Sequence, residues 1–420
     1  MLSLLTTLTQ SQRNALIASY LGWTLDAFDF FILVFVLKDV AADFQTNVTA
    51  ASIAITLTLA ARPVGALAFG LAADRYGRRI ILMINISLFS LFEFASGLSP
   101  GLVSFLIIRL AFGVAMGGEW GVGAALTMET IPARARGIVS GILQSGYPAG
   151  YLLSSLVYAA LFGLIGWRGM FMLGALPALL VLYIRRSVEE SPAFVAPSAR
   201  RADAGLANLS HLKVLRAHSN RFAYTVLLMT VFNFLSHGTQ DLYPTFLEVQ
   251  RAFSVHTVGL IAIIYNIGAI FGGLLFGALS QHAGRRVMIV AASLLALPVI
   301  PLWAYGSDPV TLAAGAFLMQ FAVQGAWGIV PAHLNELSPA GVRGTFPGLV
   351  YQLGNLLASA NATLQAAIAE AYGGDYAFAL AAVTAIAAAT LAALACFGSE
   401  THGADLGPAD DGHAGGLNPP

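Results

Sequence analysis

Long apolar segments, separated by short polar or charged breaks, recur along the whole chain. A helix that crosses a bilayer needs about 20 predominantly apolar residues. Segments such as 80–91 also lack the period-two alternation of a transmembrane β-barrel strand. The pattern therefore predicts an all-α polytopic membrane protein with twelve transmembrane helices, near residues 16–37, 50–71, 80–98, 101–126, 137–160, 164–184, 222–247, 254–280, 287–305, 309–333, 343–371 and 375–397.

Composition argues against a soluble fold. Of the 420 residues, 57% are hydrophobic and 10% are charged, against roughly 25% charged residues in soluble domains. The first apolar segment is too long for the core of a signal peptide, and no small-residue cleavage pattern follows it, so it is expected to remain as a helix. Cys396 is the single cysteine, which leaves no disulfide framework and no cysteine metal site. We expect no cofactor, no metal and no redox chemistry.

The distribution of basic residues predicts the orientation. Most of the 21 lysines and arginines fall on one side of the predicted helices, whereas Lys38, Arg168 and Arg251 fall on the other. Loops rich in basic residues face the cytoplasm. The sequence therefore predicts a multi-pass protein of the cell membrane, inner or plasma, with both termini in the cytoplasm.

Two loop motifs recur at a single offset of 207 residues. The first follows the second and eighth helices, and the second follows the fourth and tenth. Two independent motifs at one offset indicate an internal repeat. The matching residues are Gly70, Gly77, Arg78, Arg79, Glu129 and Arg136 in the first copy and Gly277, Gly284, Arg285, Arg286, Glu336 and Arg343 in the second.

The repeat divides the chain into two bundles of six helices. We predict an N-terminal bundle at 1–185, a cytoplasmic linker at 186–221, a C-terminal bundle at 222–397 and a disordered cytoplasmic tail at 398–420. Parallel repeats of this kind are typical of carriers that bind their substrate between the two halves.

The loop at 70–79 reads Gly-x-x-x-Asp-Arg-x-Gly-Arg-Arg and resembles the signature loop of the major facilitator superfamily. The resemblance covers residues 13–397 and implies that these loops latch the cytoplasmic helix ends and govern gating. Asp74 and Arg75 belong to the first copy, but Gln281 and His282 replace them in the second. We therefore expect a weaker second latch. Alternatively, the arginines only keep their loops in the cytoplasm.

Ionisable residues inside membrane helices are functional candidates, because burying them in lipid is costly. Asp26 and Asp29 are three residues apart in the first helix and share a face. Two carboxylates so close repel each other, which favours protonation of one of them. They are candidates for proton coupling, or alternatively for a structural pairing with an arginine.

Arg109 opens an Arg-x-x-x-Gly-x-x-x-Gly pattern in the fourth helix, which resembles a pattern of the same superfamily. Its planar guanidinium matches a carboxylate through two hydrogen bonds. It is therefore expected to hold a substrate anion, the Asp26 and Asp29 pair, or each in turn. Arg62 is interpreted as structural. Glu119 is a further proton-coupling candidate, or it contacts a helix end.

The seventh helix carries a polar stripe in an otherwise apolar segment. Asn233, His237, Gln240 and Asp241 lie at helical spacing on one side of it. In lipid, such a stripe must face protein or a water-filled cavity. At the 207-residue offset, Asn233 and Ser236 match Asp26 and Asp29, so both halves direct polar groups at one region.

Two other helices carry similar stripes. Tyr147 and Tyr151 lie on the fifth helix, and Tyr351 and Asn355 lie on the eleventh. These side chains line a small polar cavity, or they only form hydrogen bonds between helices.

The run Asn-x-x-Ser-His-x-x-Gln-Asp-x-x-x-Thr at 233–245 resembles the signature of Jen-type lactate and pyruvate proton symporters, relatives of sialate:proton symporters. The resemblance implies secondary active import of small monocarboxylates such as lactate or pyruvate with protons. Arg109, Asn233, His237 and Gln240 would then bind substrate, while Asp26, Asp29 or Asp241 would carry the proton. The expected partners are the organic anion, the proton and the lipid bilayer, and no nucleic acid is expected. The protein is expected to be a monomer.

Three alternatives differ in their observable features. A proton symporter of a larger organic acid, sialate or an aromatic acid, differs in its competition profile. A non-transporting sensor of the same fold usually needs a signalling domain, and the longest non-membrane segment here is the linker near 186–220. A membrane enzyme would need a catalytic pattern, and the sequence shows no Ser/His/Asp, His-Glu-x-x-His or phosphate-loop motif. We therefore expect a carrier and not an enzyme.

Overall fold

The computed structural model describes residues 5–195, 210–339 and 341–406. Within these ranges the fold consists of helices and turns, with no strand. Nine helical stretches of the described chain are long and apolar enough to cross a membrane. Three more crossings, at 167–187, 219–250 and 346–371, are shorter or interrupted. The predicted twelve-helix fold is confirmed.

The twelve crossings are called spans 1 to 12 in chain order. Their bounds are Gln10–Asp43, Val48–Tyr76, Arg78–Gly97, Leu102–Thr130, 136–165, 167–187, 219–250, Val255–Ala283, Arg285–Tyr305, Pro309–Leu337, 346–371 and Tyr376–Phe397. Several spans contain shorter helices in succession, namely Leu102–Gly117 and Glu119–Thr130 in span 4, Ser219–Gln240, Tyr243–Thr245 and Phe246–Gln250 in span 7, Pro309–Trp327 and Val330–Leu337 in span 10, and Phe346–Ala358 and Asn361–Ala371 in span 11.

The interruptions have local causes in the sequence. Gly166 has φ 62° and ψ −177°, a backbone conformation that glycine adopts readily, and it ends span 5 and begins span 6. In span 7 the helix stops at Gln240, shortly before Pro244, which has no backbone N–H for the helix ladder. The polar stripe of span 7 therefore ends at a break in the helix.

Spans 2 and 4 pack backbone against backbone. A Cβ on Gly113 would lie 2.3 Å from the carbonyl oxygen of Thr58, and a Cβ on Gly117 would lie 2.1 Å from that of Arg62. A larger residue would force the helices apart, as small residues at membrane helix contacts show generally. The glycines of the Arg109 pattern thus position span 4 against span 2.

The repeated loops have the same structure in both halves. Gly77 has φ 104° and Gly284 has φ 95°, so both turns use a conformation that other residues rarely adopt. After each turn an arginine pairs with a buried glutamate: Arg78 Nη2 lies 3.0 Å from Glu129, and Arg285 Nη2 lies 3.0 Å from Glu336. The 207-residue repeat is therefore structural as well as sequential.

Each turn is also capped by an acid from the end of its bundle. Glu190 accepts hydrogen bonds from the backbone N–H groups of Arg78 and Arg79, and Glu400 accepts them from those of Arg285 and Arg286. Burial disfavours the charged form of Glu400, but four backbone N–H donors outweigh it and lower its pKa. Both acids sit at helix N-termini, where negative charge is favoured.

Hydrogen bonds that join the two halves cluster at the end of the bundles that carries Arg78, Arg136, Arg285 and Arg343, called the arginine-rich end. Asp74 accepts from Gly344 N at 2.7 Å, from Thr345 N at 3.0 Å and from Thr345 Oγ1 at 2.7 Å. At the matching position Gln281 accepts from Gly137 N at 2.9 Å. The second contact has fewer hydrogen bonds and no charge, so this end is held closed unequally.

Glycines also bring the halves together by backbone contact. A Cβ on Gly121 would lie 2.6 Å from the Cα atom of Gly348, and a Cβ on Gly141 would lie 2.4 Å from the carbonyl oxygen of Gly273. These four residues are called the glycine contacts. The two halves therefore touch here without interlocking side chains.

Residues 400–406 form a strap across the arginine-rich end. Arg136 Nη1 donates to Ala404 O at 2.5 Å, and Arg343 Nη1 donates to Leu406 O at 2.8 Å. Leu406 is buried with Leu8, among other residues. The predicted disorder at 398–420 therefore does not extend over 400–406, because both halves hold this segment. Residues 407–420 of the tail and 196–209 of the linker lie outside the described residues.

Candidate functional site

A cavity of 480 Å³ lies between the two halves. Spans 1, 2 and 5 line it from the first half, and spans 7, 8, 10 and 11 line it from the second. Its size is in the range of small-molecule sites. The lining residues are Trp23, Phe30, Phe31, Val34, Phe35, Ile55, Leu59, Arg62, Gln144, Tyr147, Tyr151, Asn233, Ser236, His237, Gln240, Asp241, Pro244, Tyr265, Asn266, Gln324, Trp327, Tyr351 and Asn355.

Aromatic rings cover the wall from the first half. Tyr147 stacks on Trp23 with ring centroids 5.5 Å apart, and Phe31 meets Tyr147 and Tyr151 edge to face at 5.4 and 4.8 Å. Such pairs hold each ring in a fixed orientation. This wall is therefore a rigid apolar surface with tyrosine hydroxyls as its polar points.

Aromatic contacts also join the two halves beside the cavity. The rings of Trp120 and Tyr351 lie 4.8 Å apart, and Trp327 meets Tyr351 at 5.5 Å. Trp120 donates its indole N–H to Gln144 at 3.3 Å. Span 4 thus reaches the cavity through Trp120, which supports Tyr351 and Gln144.

The polar stripe of span 7 forms the opposite wall. His237 Nδ1 lies 3.1 Å from Asp241 Oδ1, and His237 Nε2 lies 2.9 Å from Asn355 Oδ1. Gln240 donates to Ser236 at 3.3 Å and to Gln320 at 3.0 Å. The structure thus brings the stripes of spans 7 and 11 together, and a network fixes their orientation.

Not every member of the stripes offers a free polar group to the cavity. Asn233 lines it, but its amide donates to the backbone oxygen of Met229 at 2.7 Å. The hydroxyl groups of Ser154 and Ser155 likewise bond to the Tyr151 backbone of their own helix. Tyr147, Tyr151, Tyr351 and Asn355 all lie at the cavity, as their helical spacing suggested.

Arg62 is the one guanidinium among the described residues that line the cavity. It lies 5.2 Å from the centre of the Phe30 ring, and its Nη2 is 2.7 Å from the sulfur of Met116. Within the described chain no carboxylate lies within ion-pair distance of it. Sequence reasoning treated Arg62 as structural, whereas its placement makes it the cation that faces the cavity.

Arg109 does not line the cavity in the described conformation, so its binding of substrate stays a prediction. Its side chain is fully buried, and its Nη1 lies 2.5 Å from Glu93 Oε2. Phe112 and Phe171 cover the guanidinium at 3.9 and 5.5 Å. Packing within the first half therefore separates Arg109 from the cavity.

Asp26, Asp29 and Glu119 lie behind the cavity wall rather than on it. All three are at most 1% exposed, and none of them lines the cavity. Asp26 interacts electrostatically with Arg62 and Glu93, and Glu119 interacts with Asp26 and Arg62. The structure thus gathers these acids into one buried group beside the cavity. Asp241 alone among the proton-coupling candidates lines the cavity itself.

Sequence reasoning missed Glu93, which belongs to the same buried group. A signal was present, because Glu93 is the one acid within span 3, and an ionisable residue in a membrane helix is a functional candidate by default. The rule applied to Asp26 and Arg109 would have identified it.

The gating-loop residues assemble at the arginine-rich end, away from the cavity. Arg136 Nη1 approaches Glu336 of the other half at 4.0 Å, and Arg79 donates to the backbone oxygen of Arg185. Arg75 lies over the ring of Tyr76 at 5.1 Å. A Cβ on Gly70 would lie 2.6 Å from Thr345 Cα, and one on Gly277 would lie 2.8 Å from Gly137 O.

Comparison with known proteins agrees with this architecture. The family model described as Major Facilitator Superfamily matches residues 19–252 and 226–416. A carboxylic acid transporter protein homolog of Saccharomyces cerevisiae is 31% identical over 87% of this chain, which spans 62% of that protein. A probable 4-methylmuconolactone transporter of Cupriavidus pinatubonensis is 32% identical over 82% of this chain and 80% of its own length.

A solved structure of the proton:xylose symporter XylE shares the fold, with a TM-score of 0.76 and 17% identity over 94% of this chain and 98% of that one. Two bundles around a central cavity, closed at one end by repeated loops, are the architecture of many membrane transporters. This chain belongs to the major facilitator superfamily. It is a multi-pass transporter and not an enzyme.

Proposed function

We propose that the protein imports an organic carboxylic acid together with a proton by alternating access. The observation that carries the proposal is Arg62, a guanidinium that faces an aromatic cavity between the halves and has no carboxylate within ion-pair distance among the described residues. Such a group supplies a planar fork for a carboxylate. The relative named as a carboxylic acid transporter protein homolog supports the same class of substrate.

The wall formed by spans 7 and 11 supplies amide and imidazole groups for the rest of the substrate. His237, Gln240 and Asn355 face the cavity at fixed distances from one another. An anion in an apolar site is stable only when it is paired and hydrogen-bonded. Arg62 on one wall and the amide and imidazole groups on the other meet this requirement for a single carboxylate with a neighbouring oxygen.

The buried acids Asp26, Asp29 and Glu119 support proton coupling. They lie beside Arg62 and the cavity but do not touch the substrate space. A proton on this group and a carboxylate in the cavity together carry no net charge, so uptake would depend weakly on membrane potential. Asp241, which pairs with His237, is a further proton-coupling candidate.

The resemblance of the seventh span favours lactate or pyruvate as the substrate. The aromatic lining favours a second candidate, a larger unsaturated or aromatic acid, because rings such as Phe31, Tyr147 and Trp327 stack on planar substrates. The relative named for 4-methylmuconolactone transport supports this second candidate.

The orientation and assembly are also proposals. Most basic residues lie at the closed end, so we place this end and both termini in the cytoplasm of a monomer in the cell membrane. The contacts of Asp74 with Gly344 and Thr345 close this end. The cavity in this conformation would then admit substrate from outside.

Uptake into proteoliposomes tests the proposal. Labelled lactate, pyruvate, benzoate and cis,cis-muconate are supplied at two external pH values, and uptake of at least one acid should rise at the lower pH. Absence of pH dependence for every accepted acid would remove proton coupling. Competition among the four acids separates the two substrate classes.

Matched arginine variants test the site. Arg62→Lys replaces the fork by a point charge and should raise KM roughly 10- to 100-fold, the value of one to two charge-assisted hydrogen bonds. Arg109→Lys removes a fork that does not face the cavity. If Arg109→Lys raised KM while Arg62→Lys did not, the substrate site would be assigned incorrectly.

A further inference from the structure

Glu93 and Asp29 converge on one point inside the first half. The point is marked by Gly174, where an added Cβ would lie 2.3 Å from Glu93 Cγ and 2.9 Å from Asp29 Oδ1. Both acids are fully buried. A side chain at residue 174 would separate or displace them, so glycine leaves the space in which these two acids approach each other.

The two acids share one arginine. Arg109 pairs with Glu93 at 2.5 Å, and it also interacts electrostatically with Asp29. The rings of Phe112 and Phe171 confine the guanidinium. Arg109 therefore has two competing carboxylates within its reach and little freedom to point elsewhere.

In the described conformation the competition is resolved in favour of Glu93. Neither oxygen of Asp29 has a hydrogen-bond partner among the described residues, whereas Glu93 Oε2 is bound to Arg109. A buried ionised carboxylate without a partner is strongly disfavoured, and a protonated one is tolerated far better. The arrangement corresponds to a protonated Asp29 beside a Glu93–Arg109 ion pair.

The charges of the whole buried group support this interpretation. Asp26 of span 1 and Arg109 of span 4 interact electrostatically with both Glu93 and Asp29. Arg62 of span 2 and Glu119 of span 4 belong to the same buried group through their interactions with Asp26. Four buried carboxylates thus share two guanidiniums, so burial favours a proton on each acid that has no arginine partner. With Arg109 held by Glu93, Asp29 is free to carry such a proton.

We propose that Glu93 is a positioning residue for proton coupling, which binds Arg109 while Asp29 carries its proton and yields Arg109 when that proton leaves. The inference rests on the proposed proton symport. Glu93 acts through Arg109 and touches neither substrate nor the cavity. The exchange of one arginine between two acids gives the protonated and deprotonated carrier two discrete arrangements of spans 1, 3 and 4.

Glu93→Gln tests the proposal, since it keeps the size of the side chain and removes the competing charge. Arg109 is then available to Asp29 at all times, so a proton must displace a standing ion pair. The midpoint of acid-stimulated uptake should move by about one unit to lower external pH, in line with the effect of a neighbouring opposite charge. Substrate counterflow at equal pH on both sides should persist with KM within about twofold.

Two further measurements decide between the outcomes. Glu93→Asp keeps the charge but lengthens the contact with Arg109, so a smaller shift in the same direction is expected, and this variant replaces Glu93→Gln if the latter fails to reach the membrane. An unchanged midpoint in a folded, transporting Glu93 variant would overturn the inference. Absence of acid-stimulated uptake in the wild-type protein would instead overturn the proposed symport, so the two failures are distinguishable.

Discussion

Replacement of Asp74 by asparagine should open the arginine-rich end. The carboxylate of Asp74 accepts three hydrogen bonds from Gly344 and Thr345 of the other half and pairs with Arg78 within its own half. Asparagine keeps one acceptor oxygen and loses the charge. The contact across the halves is therefore weakened without a change in side-chain size.

The magnitude follows from the contacts that are lost. A hydrogen bond to a charged group contributes about 1.5–3 kcal/mol, and the single oxygen of asparagine can keep the two bonds to Thr345, which share one oxygen of Asp74, while the bond to Gly344 is lost. In the open state water hydrates the residue in both proteins, so the difference falls on the closed state. We expect its free energy to rise by about 2–3 kcal/mol. Since each 1.4 kcal/mol is tenfold, the ratio of closed to open protein should fall roughly 30- to 150-fold.

A buried cysteine reports the opening. Ser140 is fully buried at the contact between the halves, where its hydroxyl accepts from Ala332 N at 3.0 Å. In a Cys396→Ala background, Ser140→Cys reacts with a maleimide only when this end opens. The labelling rate should rise by the same 30- to 150-fold factor in the Asp74→Asn protein.

Gln281→Leu provides the matched control at the equivalent position of the second half. It removes one neutral hydrogen bond between the halves, worth about 0.5–1.5 kcal/mol, so labelling should rise no more than about tenfold. Equal labelling of the wild type and Asp74→Asn, or a larger effect of Gln281→Leu, would show that the unequal latch is misassigned.

Three further predictions concern the tail, the helix packing and the cavity. Truncation after Ser399 should increase Ser140→Cys labelling and lower the thermal midpoint, because the strap loses its contacts with Arg136 and Arg343; unchanged labelling would show that the strap does not hold this end closed. Gly117→Val should lower the thermal midpoint by several degrees through overpacking against span 2, while Gly163→Ala, which has open space around it, should not. Tyr351→Ala removes the ring between Trp120 and Trp327 and should raise KM for aromatic acids more than for lactate; equal changes would argue against stacking on this wall.

The repeating features of the fold were predictable because they follow from local rules. Apolar length predicted all twelve spans, and the offset of 207 residues predicted which loops correspond. The sequence also predicted a weaker second latch from Gln281, and the structure has one hydrogen bond across the halves there in place of the three of Asp74. The replacement of the charged Asp74 by the neutral Gln281 in the second repeat can be read directly from the sequence.

Helical periodicity predicted the cavity walls well, because a polar stripe in a membrane helix has few places to face. His237, Gln240, Tyr147 and Asn355 lie at the cavity accordingly. Their roles in binding stay predictions, since their position alone does not establish what they bind.

Periodicity could not distinguish Arg62 from Arg109. Both arginines lie within apolar stretches of their spans, and the choice between them depends on which helices pack against each one. Glu93 on span 3 captures Arg109, while Met116 and Phe30 leave Arg62 facing the cavity. Contacts between segments distant in sequence decide which arginine faces the cavity, and these contacts cannot be predicted from a single sequence.

The glycine contacts have a mechanical consequence for the transport cycle. Gly121 meets Gly348 and Gly141 meets Gly273 with backbone against backbone. One bundle can therefore rotate against the other at these contacts. At the glycine contacts no side chain has to move out of a pocket or change its rotamer when the bundles rotate. Side-chain contacts between the bundles, such as those of Asp74 with Thr345 and of Trp120 with Tyr351, lie elsewhere along the interface.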